Sequence, residues 1–125
     1  MKRIINTTKA PAPIGPYNQA VLVNALLYVS GQIALHPETG ELMMATVEEE
    51  TRQVMANLKA ILDEAGFEFG DVVKTTIFLS DMGLFPLVNE IYGSYFSGAY
   101  PARETVAVAG LPKGVNVEIS VVAAK

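Results

Sequence analysis

The chain has 125 residues, and its 9 Lys and Arg against 13 Asp and Glu leave a formal charge of −4; at this length there is room for one domain with a single core. Half of the residues are hydrophobic and 18% are charged, a globular composition whose average field repels phosphate backbones, and its basic residues form no local patch, which disfavours nucleic acid as a partner, and none is expected. There is no Cys, which excludes a disulfide framework and thiolate metal sites and suits a reducing compartment.

At the N-terminus, Met1-Lys2-Arg3 has the charges of a signal peptide, but polar Asn6, Thr7, Thr8 and Lys9 stand where its apolar stretch would follow. No apolar run approaches the roughly 20 residues that span a bilayer. A soluble, cytoplasmic protein with no membrane partner is expected. Strands are expected at 3–6, 19–23 and 26–30, the last two joined tightly at Asn24-Ala25. Thr46-Val47-Glu48-Glu49 is a capping box, in which Thr46 and Glu49 can satisfy each other's end of a helix. Val47, Thr51, Val54, Met55, Leu58, Ile61, Leu62 and Ala65 then recur at three- and four-residue intervals, and Gly66 supplies the stop. The run Glu48-Glu49-Glu50 reads as an acidic first turn favoured by the helix dipole.

A strand over 72–80 follows, then a second helix over 84–96, where Pro86 fits because the first turn has no committed backbone donors. Strands over 104–109 and 115–123 complete the chain. About six strands with only two helices indicate an α+β fold, a mixed sheet with both helices on one face. In Val72 to Leu79 and Leu26 to Val29 the other face is also partly apolar, so it is expected to be buried against another subunit.

Chemical resources are few. The one His, His36, sits beside Pro37 in a turn, and no zinc, calcium, phosphate-loop or dinucleotide spacing occurs, so a cofactor-free protein with no metal is expected. Two charges in apolar surroundings remain. Alternation along 115–123 places Glu118 with Asn116, Ser120 and Val122, away from the helix-covered core. There it is either a gatekeeper on an exposed strand or a half-buried acid at an interface. Arg103, placed just ahead of its strand, can grip a carboxylate with two parallel hydrogen bonds or pair with neighbouring Glu104.

The surrounding text is a set of ordered landmarks: Thr8-Lys9-Ala10-Pro11 with Ile14-Gly15-Pro16-Tyr17, then Tyr28-Val29-Ser30-Gly31-Gln32, Val88-Asn89-Glu90-Ile91-Tyr92, Pro101-Ala102-Arg103 and Val117-Glu118-Ile119. From about Ile5 to Ala123 the chain resembles the RidA family, also called YjgF/YER057c/UK114, the enamine/imine deaminases. That resemblance implies a chorismate-mutase-like fold, a homotrimer with pockets between adjacent subunits, and hydrolysis of 2-iminobutanoate or 2-aminoacrylate/2-iminopropanoate to the 2-oxo acid and ammonium in the control of metabolite damage. It also implies catalytic roles for Arg103, which would bind the substrate carboxylate, and for Glu118, which would place a water.

Tyr17 is expected to close the pocket or to anchor its loop, and Ser30 and Gly31 to offer backbone groups or simply to end a strand. Asn89 is a ligand contact or a local cap, and these positions draw on the resemblance. Thr105, taken with the substrate-binding residues, stands where several relatives carry a cysteine, which excludes a thiol-dependent step. Glu104 stands where Ser is frequent, and a carboxylate turned inward there would weaken the grip of Arg103. Gly110 replaces a frequently basic residue. The competing expectation is a trimeric protein that binds small carboxylic acids without turning them over.

Overall fold

Residues 1–125 are described by a computed structural model in which the longest element, α1 (Val47–Ala65), has the ends its sequence calls for. Thr46 accepts a hydrogen bond from the Glu49 N–H at 3.0 Å, and Gly66 terminates the helix with φ 79°, a backbone state open to glycine. The capping box is displaced by one residue at its return arm, because Glu49 reaches back to the N–H of Ala45 and not to that of Thr46. Val54, Met55, Leu58, Ile61 and Leu62 are all buried.

Around this helix runs a six-stranded sheet of β1 (Lys2–Ile5), β2 (Ala20–Val23), β3 (Leu26–Gln32), β4 (Val72–Leu79), β5 (Ala102–Ala107) and β6 (Val117–Ala124), in the spatial order β1-β2-β3-β6-β4-β5. Every neighbouring pair is antiparallel except β4 and β5, which run parallel across the connection through α2 (Phe85–Gly93). The mixed α+β sheet is therefore as expected. At the β2-β3 hairpin Asn24 takes φ 54°, which its short polar side chain tolerates better than most.

Among the boundaries that differ from expectation, two bear on the placement of Arg103 and its support. The second helix stops at Gly93 and not at Phe96, since the Ser94 hydroxyl donates to the Ile91 carbonyl at 2.6 Å and competes with the helical ladder. Tyr95 and Phe96 still pack on the core from outside the helix, Phe96 against Tyr92 and Phe69. β5 opens at Ala102, two residues early, because its parallel register with β4 begins at Lys74↔Ala102. Arg103 thus lies within a strand.

Alternation assigns the two faces of the sheet. Val117, Ile119, Val121 and Ala123 of β6 and Thr75, Ile77 and Leu79 of β4 are buried on the side that carries the helices. On the opposite side the register lines up Ile4, Val21, Tyr28, Val122 and Lys74, with Phe78 beside Glu118. No element covers that side, and Ile4, Leu26, Tyr28 and Val106 on it are exposed. The second apolar face anticipated in the sequence is present.

Glu50 stands in the acidic first turn of α1, as expected, and is in addition fully buried, accepting hydrogen bonds from the N–H of Asn116 (2.7 Å), the N–H of Val117 (3.0 Å) and the Asn116 amide (3.0 Å).

Candidate functional site

Arg103 pairs across the sheet with Thr75, and in a parallel ladder paired side chains share a face, so both point to the helix side. Its guanidinium lies 5.2 Å from the Phe85 ring centroid and 5.4 Å from that of Tyr92, and it donates to Asn89 Oδ1 at 2.6 Å. Asn89 is thereby neither a helix cap nor a surface amide; it holds the arginine from α2. Tyr92 in turn donates its hydroxyl to Thr75 Oγ1 at 2.9 Å, and burial, partly opposed by that hydrogen bond and by the Arg103 charge, raises its pKa above the ordinary tyrosine value. The phenol stays neutral as a flat support under the cation. The resulting recess, about 610 Å³ and open to solvent, is lined by Asn89, Tyr92, Tyr100, Pro101 and Arg103.

Glu104, the neighbour that threatened this grip, alternates to the other side of the sheet. It accepts from the Thr76 hydroxyl at 2.8 Å and pairs with Lys74 at 3.2 Å, and these contacts hold its carboxyl below the usual glutamate range. Arg103 is left without a carboxylate partner, since the chain's ion pairs are Arg52–Glu48, Lys59–Asp63 and Lys74–Glu104. Thr105 shares the helix side with Arg103, and its buried Oγ1 has no hydrogen-bond partner. It lines neither recess.

A second cleft of about 450 Å³ contains the other half of the expected set: Tyr17, Ser30, Gly31 and Glu118. Glu118 is half-buried, and loss of solvent raises its carboxyl pKa above the ordinary glutamate value. Gly31 is glycine for a steric reason. A Cβ there would collide with Glu118 Oε2 and stand 2.9 Å from Cδ and 3.0 Å from Cγ, so the carboxyl lies directly on the β3 backbone. The β3-β6 register shifts between Val29 and Gln32, and this bulge spans Gly31. Ser30 donates its hydroxyl to the Asn18 carbonyl at 2.6 Å, so only its lone pairs remain for a guest. Tyr17 lines the cleft half-exposed, together with Pro112 and Lys113.

Within one chain the two halves do not meet. β5 and β6 are separated by β4, and Arg103 and Glu118 are offset by three register steps, Thr75 against Phe78. Strand spacing and rise put their backbones about 14 Å apart, and their side chains leave opposite faces of the sheet.

Two supporting residues escaped the sequence reading. Gln19 is buried and its amide accepts from Thr7 N–H at 2.6 Å while donating to the carbonyls of Thr7, Ala10 and Pro11, which shapes the wall of the Glu118 cleft. Nothing in its flanking sequence announces this. Glu50 did carry a signal, because it precedes Val54 and Leu58 by four and eight residues and so falls on the apolar stripe of α1.

Residues 7–125 match the family model described as Endoribonuclease L-PSP. A protein of the conserved Rid family from Yersinia pestis superposes with a TM-score of 0.97 at 48% identity, over 100% of both chains. The chain belongs to the YjgF/RidA family. Among its RidA relatives, the 2-iminobutanoate/2-iminopropanoate deaminase of Mus musculus is 51% identical over 98% of this chain and 91% of the mouse protein. Escherichia coli TdcF, whose crystal structure carries bound serine, has a TM-score of 0.93 at 41% identity, covering 98% of each chain.

Proposed function

We propose that the protein hydrolyses 2-imino acids, and their enamine tautomers, to 2-oxo acids and ammonium, at sites completed between neighbouring subunits of a homotrimer. The observation that carries this reading is the division of the expected site. Arg103, free of carboxylate partners, lies on edge strand β5, while the half-buried Glu118 lies in a separate cleft on the uncovered face. A neighbour's uncovered face is the surface an edge strand can approach, so a cyclic assembly brings one subunit's arginine to the next subunit's glutamate. The mouse relative's name supplies the substrate class.

In that arrangement the substrate carboxylate binds Arg103, whose fork is aimed by Asn89 and by the Phe85 and Tyr92 rings. The iminium carbon then faces the cleft of Glu118. Water held by the carboxylate adds to that carbon, and its proton passes to Glu118; the same proton then goes to the amino group of the carbinolamine, which leaves as ammonia while the hydroxyl collapses to the carbonyl. The hydroxyl proton departs with the ammonia as ammonium, so the sum is iminium plus water to oxo acid plus ammonium. A carboxyl with a raised pKa is suited to both transfers, because it is a stronger base than an exposed glutamate and remains a competent acid. The cytoplasm is the proposed location, in keeping with a chain that has no cysteine; no helix is long and apolar enough to cross a membrane.

The second reading, binding without turnover, is favoured by the serine held in the E. coli relative. One experiment separates the two and tests the division of the site. Arg103→Ala and Glu118→Ala are each expected to fail in releasing oxo acid when a dehydratase supplies imine in competition with semicarbazide. Dissociated and reassembled as an equal mixture, they should recover roughly a quarter of wild-type activity, since a quarter of the shared sites then receive both intact residues. Recovery of none, from mixed assemblies shown to form, sinks the shared site. A wild type without activity leaves the binding protein.

A further inference from the structure

We infer that Glu50 is a positioning residue for Glu118, an acceptor-only strut that sets the angle at which β6 begins and through it the placement of the carboxyl in the cleft. The inference rests on the role given to Glu118 above. Glu50 projects from the first turns of α1, is fully buried, and has no cation within ion-pairing reach. What surrounds it are donors. The consecutive N–H groups of Asn116 and Val117 converge on one oxygen, Oε2, and the Asn116 amide occupies Oε1. A buried carboxyl with three donors and no counter-charge is an expensive choice for mere packing, and a contact spanning 66 residues of sequence specifies tertiary geometry.

The far side of the same backbone is fixed by Ser80, the residue that follows β4. Ser80 N–H donates to the Asn116 carbonyl at 2.9 Å, and the Ser80 hydroxyl meets Asn116 Oδ1 at 3.0 Å. The peptide planes on either side of Asn116 are therefore clamped from the helix layer and from the sheet together. Val117 follows inside the core, fully buried, and the next residue is Glu118, which lies against Gly31 with no room to spare. Because Glu118 follows the last N–H that Glu50 holds by one residue, a shift of that peptide plane where β6 enters its ladder with β4 is passed to the carboxyl in the cleft. Tyr17 and Lys113 are the other titratable groups lining the cleft.

The test uses the full-length assembly and two readouts, deaminase kinetics and the titration of the Glu118 carboxyl followed by carbon NMR. Glu50→Ala should lower kcat roughly 10- to 100-fold, with KM within about 2-fold of wild type, the cost of a displacement on the order of 1 Å at a reacting group. Its Glu118 titration should fall back toward the ordinary glutamate range. Glu50→Gln should restore most of both, because its amide oxygen can take the two backbone N–H groups while the Asn116 amide flips toward Ser80. Leu58→Ala, a core truncation on the same helix, serves as the stability-matched control and should leave kcat near wild type.

If Glu50→Ala cannot be folded, Asn116→Ala carries the test, with a several-fold loss of kcat and a lowered Glu118 titration expected. Wild-type kinetics and an unmoved Glu118 titration in the folded Glu50 or Asn116 variants would overturn the inference, as would losses no larger than those of Leu58→Ala. Since the titration needs no substrate, it decides the role of Glu50 even if the wild type turns nothing over, an outcome that would sink the deaminase reading separately.

Discussion

Adding one methyl group at Gly31 addresses the Glu118 cleft with the least disturbance elsewhere. In Gly31→Ala the new Cβ would stand 2.9 Å from Glu118 Cδ and 3.0 Å from Cγ, against an ordinary carbon contact of about 3.6 Å, so the glutamate side chain must retreat by roughly 0.7 Å. Two close carbons, not merely the carboxyl tip, make a simple end rotation insufficient. Overpacking of this kind costs about 1–3 kcal/mol in a core, but Glu118 is only half-buried and can move toward the cleft, and alanine recovers about 0.5–1 kcal/mol of strand entropy relative to glycine. Stability should therefore change by less than about 1.5 kcal/mol. Catalysis should not be spared, since misplacement approaching 1 Å costs up to about 100-fold. Steady-state deaminase kinetics beside urea unfolding would show kcat for Gly31→Ala down by about 10- to 100-fold at nearly unchanged midpoint. Full activity in that variant would refute the close seating of Glu118 on β3, and a midpoint collapse with proportionate activity loss would reduce Gly31 to a packing residue.

Glu118→Gln should be inactive yet more stable than wild type at neutral pH. The folded-state pKa of Glu118 is raised, so the native protein binds more protons than the unfolded chain between the two values, and wild-type stability falls as pH rises through that window. Urea unfolding between about pH 4 and 8 should accordingly show the Gln advantage growing with pH and vanishing in acid. Arg103→Lys should raise KM about 10- to 100-fold with little change in folding, because an ammonium cannot reproduce a forked grip on a carboxylate; calorimetric titration with a non-reacting 2-oxo acid reports the same loss directly. Lys125→Ala removes a 2.7 Å hydrogen bond to the Gly66 carbonyl at the end of α1 and a cation 5.6 Å from the Phe67 ring. It should lower the melting temperature by about 2–5 °C and leave kcat alone, as scanning calorimetry and the coupled assay can verify.

The sequence was most legible where one signal acts locally. Thr46 and Gly66 bound α1 because capping depends on groups within a turn of the helix end, and the alternation through Val117 to Ala123 gives the correct face for Glu118. Signals that depend on a partner strand were not legible. The start of β5 at Ala102 is dictated by register with β4, so the direction of Arg103, and hence its separation from Glu118 by the full thickness of the sheet, had no local marker. Asn89 and Ser30 carried equivocal residue types whose use is settled by Arg103 and Asn18, far off in sequence. Gly31 looked like a strand terminus, whereas β3 continues through it to Gln32 and its missing side chain makes space for Glu118. The place of Glu50 in an acidic first turn was legible, but its burial depends on Asn116 and Val117, strand-side partners far away in the chain.

Placing the guanidinium and the acid on opposite sides of one sheet has an outcome at the level of the cell. In the proposed shared-site assembly a newly made polypeptide, however well folded, would own only two unmatched halves, so turnover would begin only with association and disappear on sufficient dilution. Catalytic output would then rise more steeply than gene dosage at low expression, and a copy lacking both residues, incorporated beside sound ones, would silence the shared sites on both of its sides.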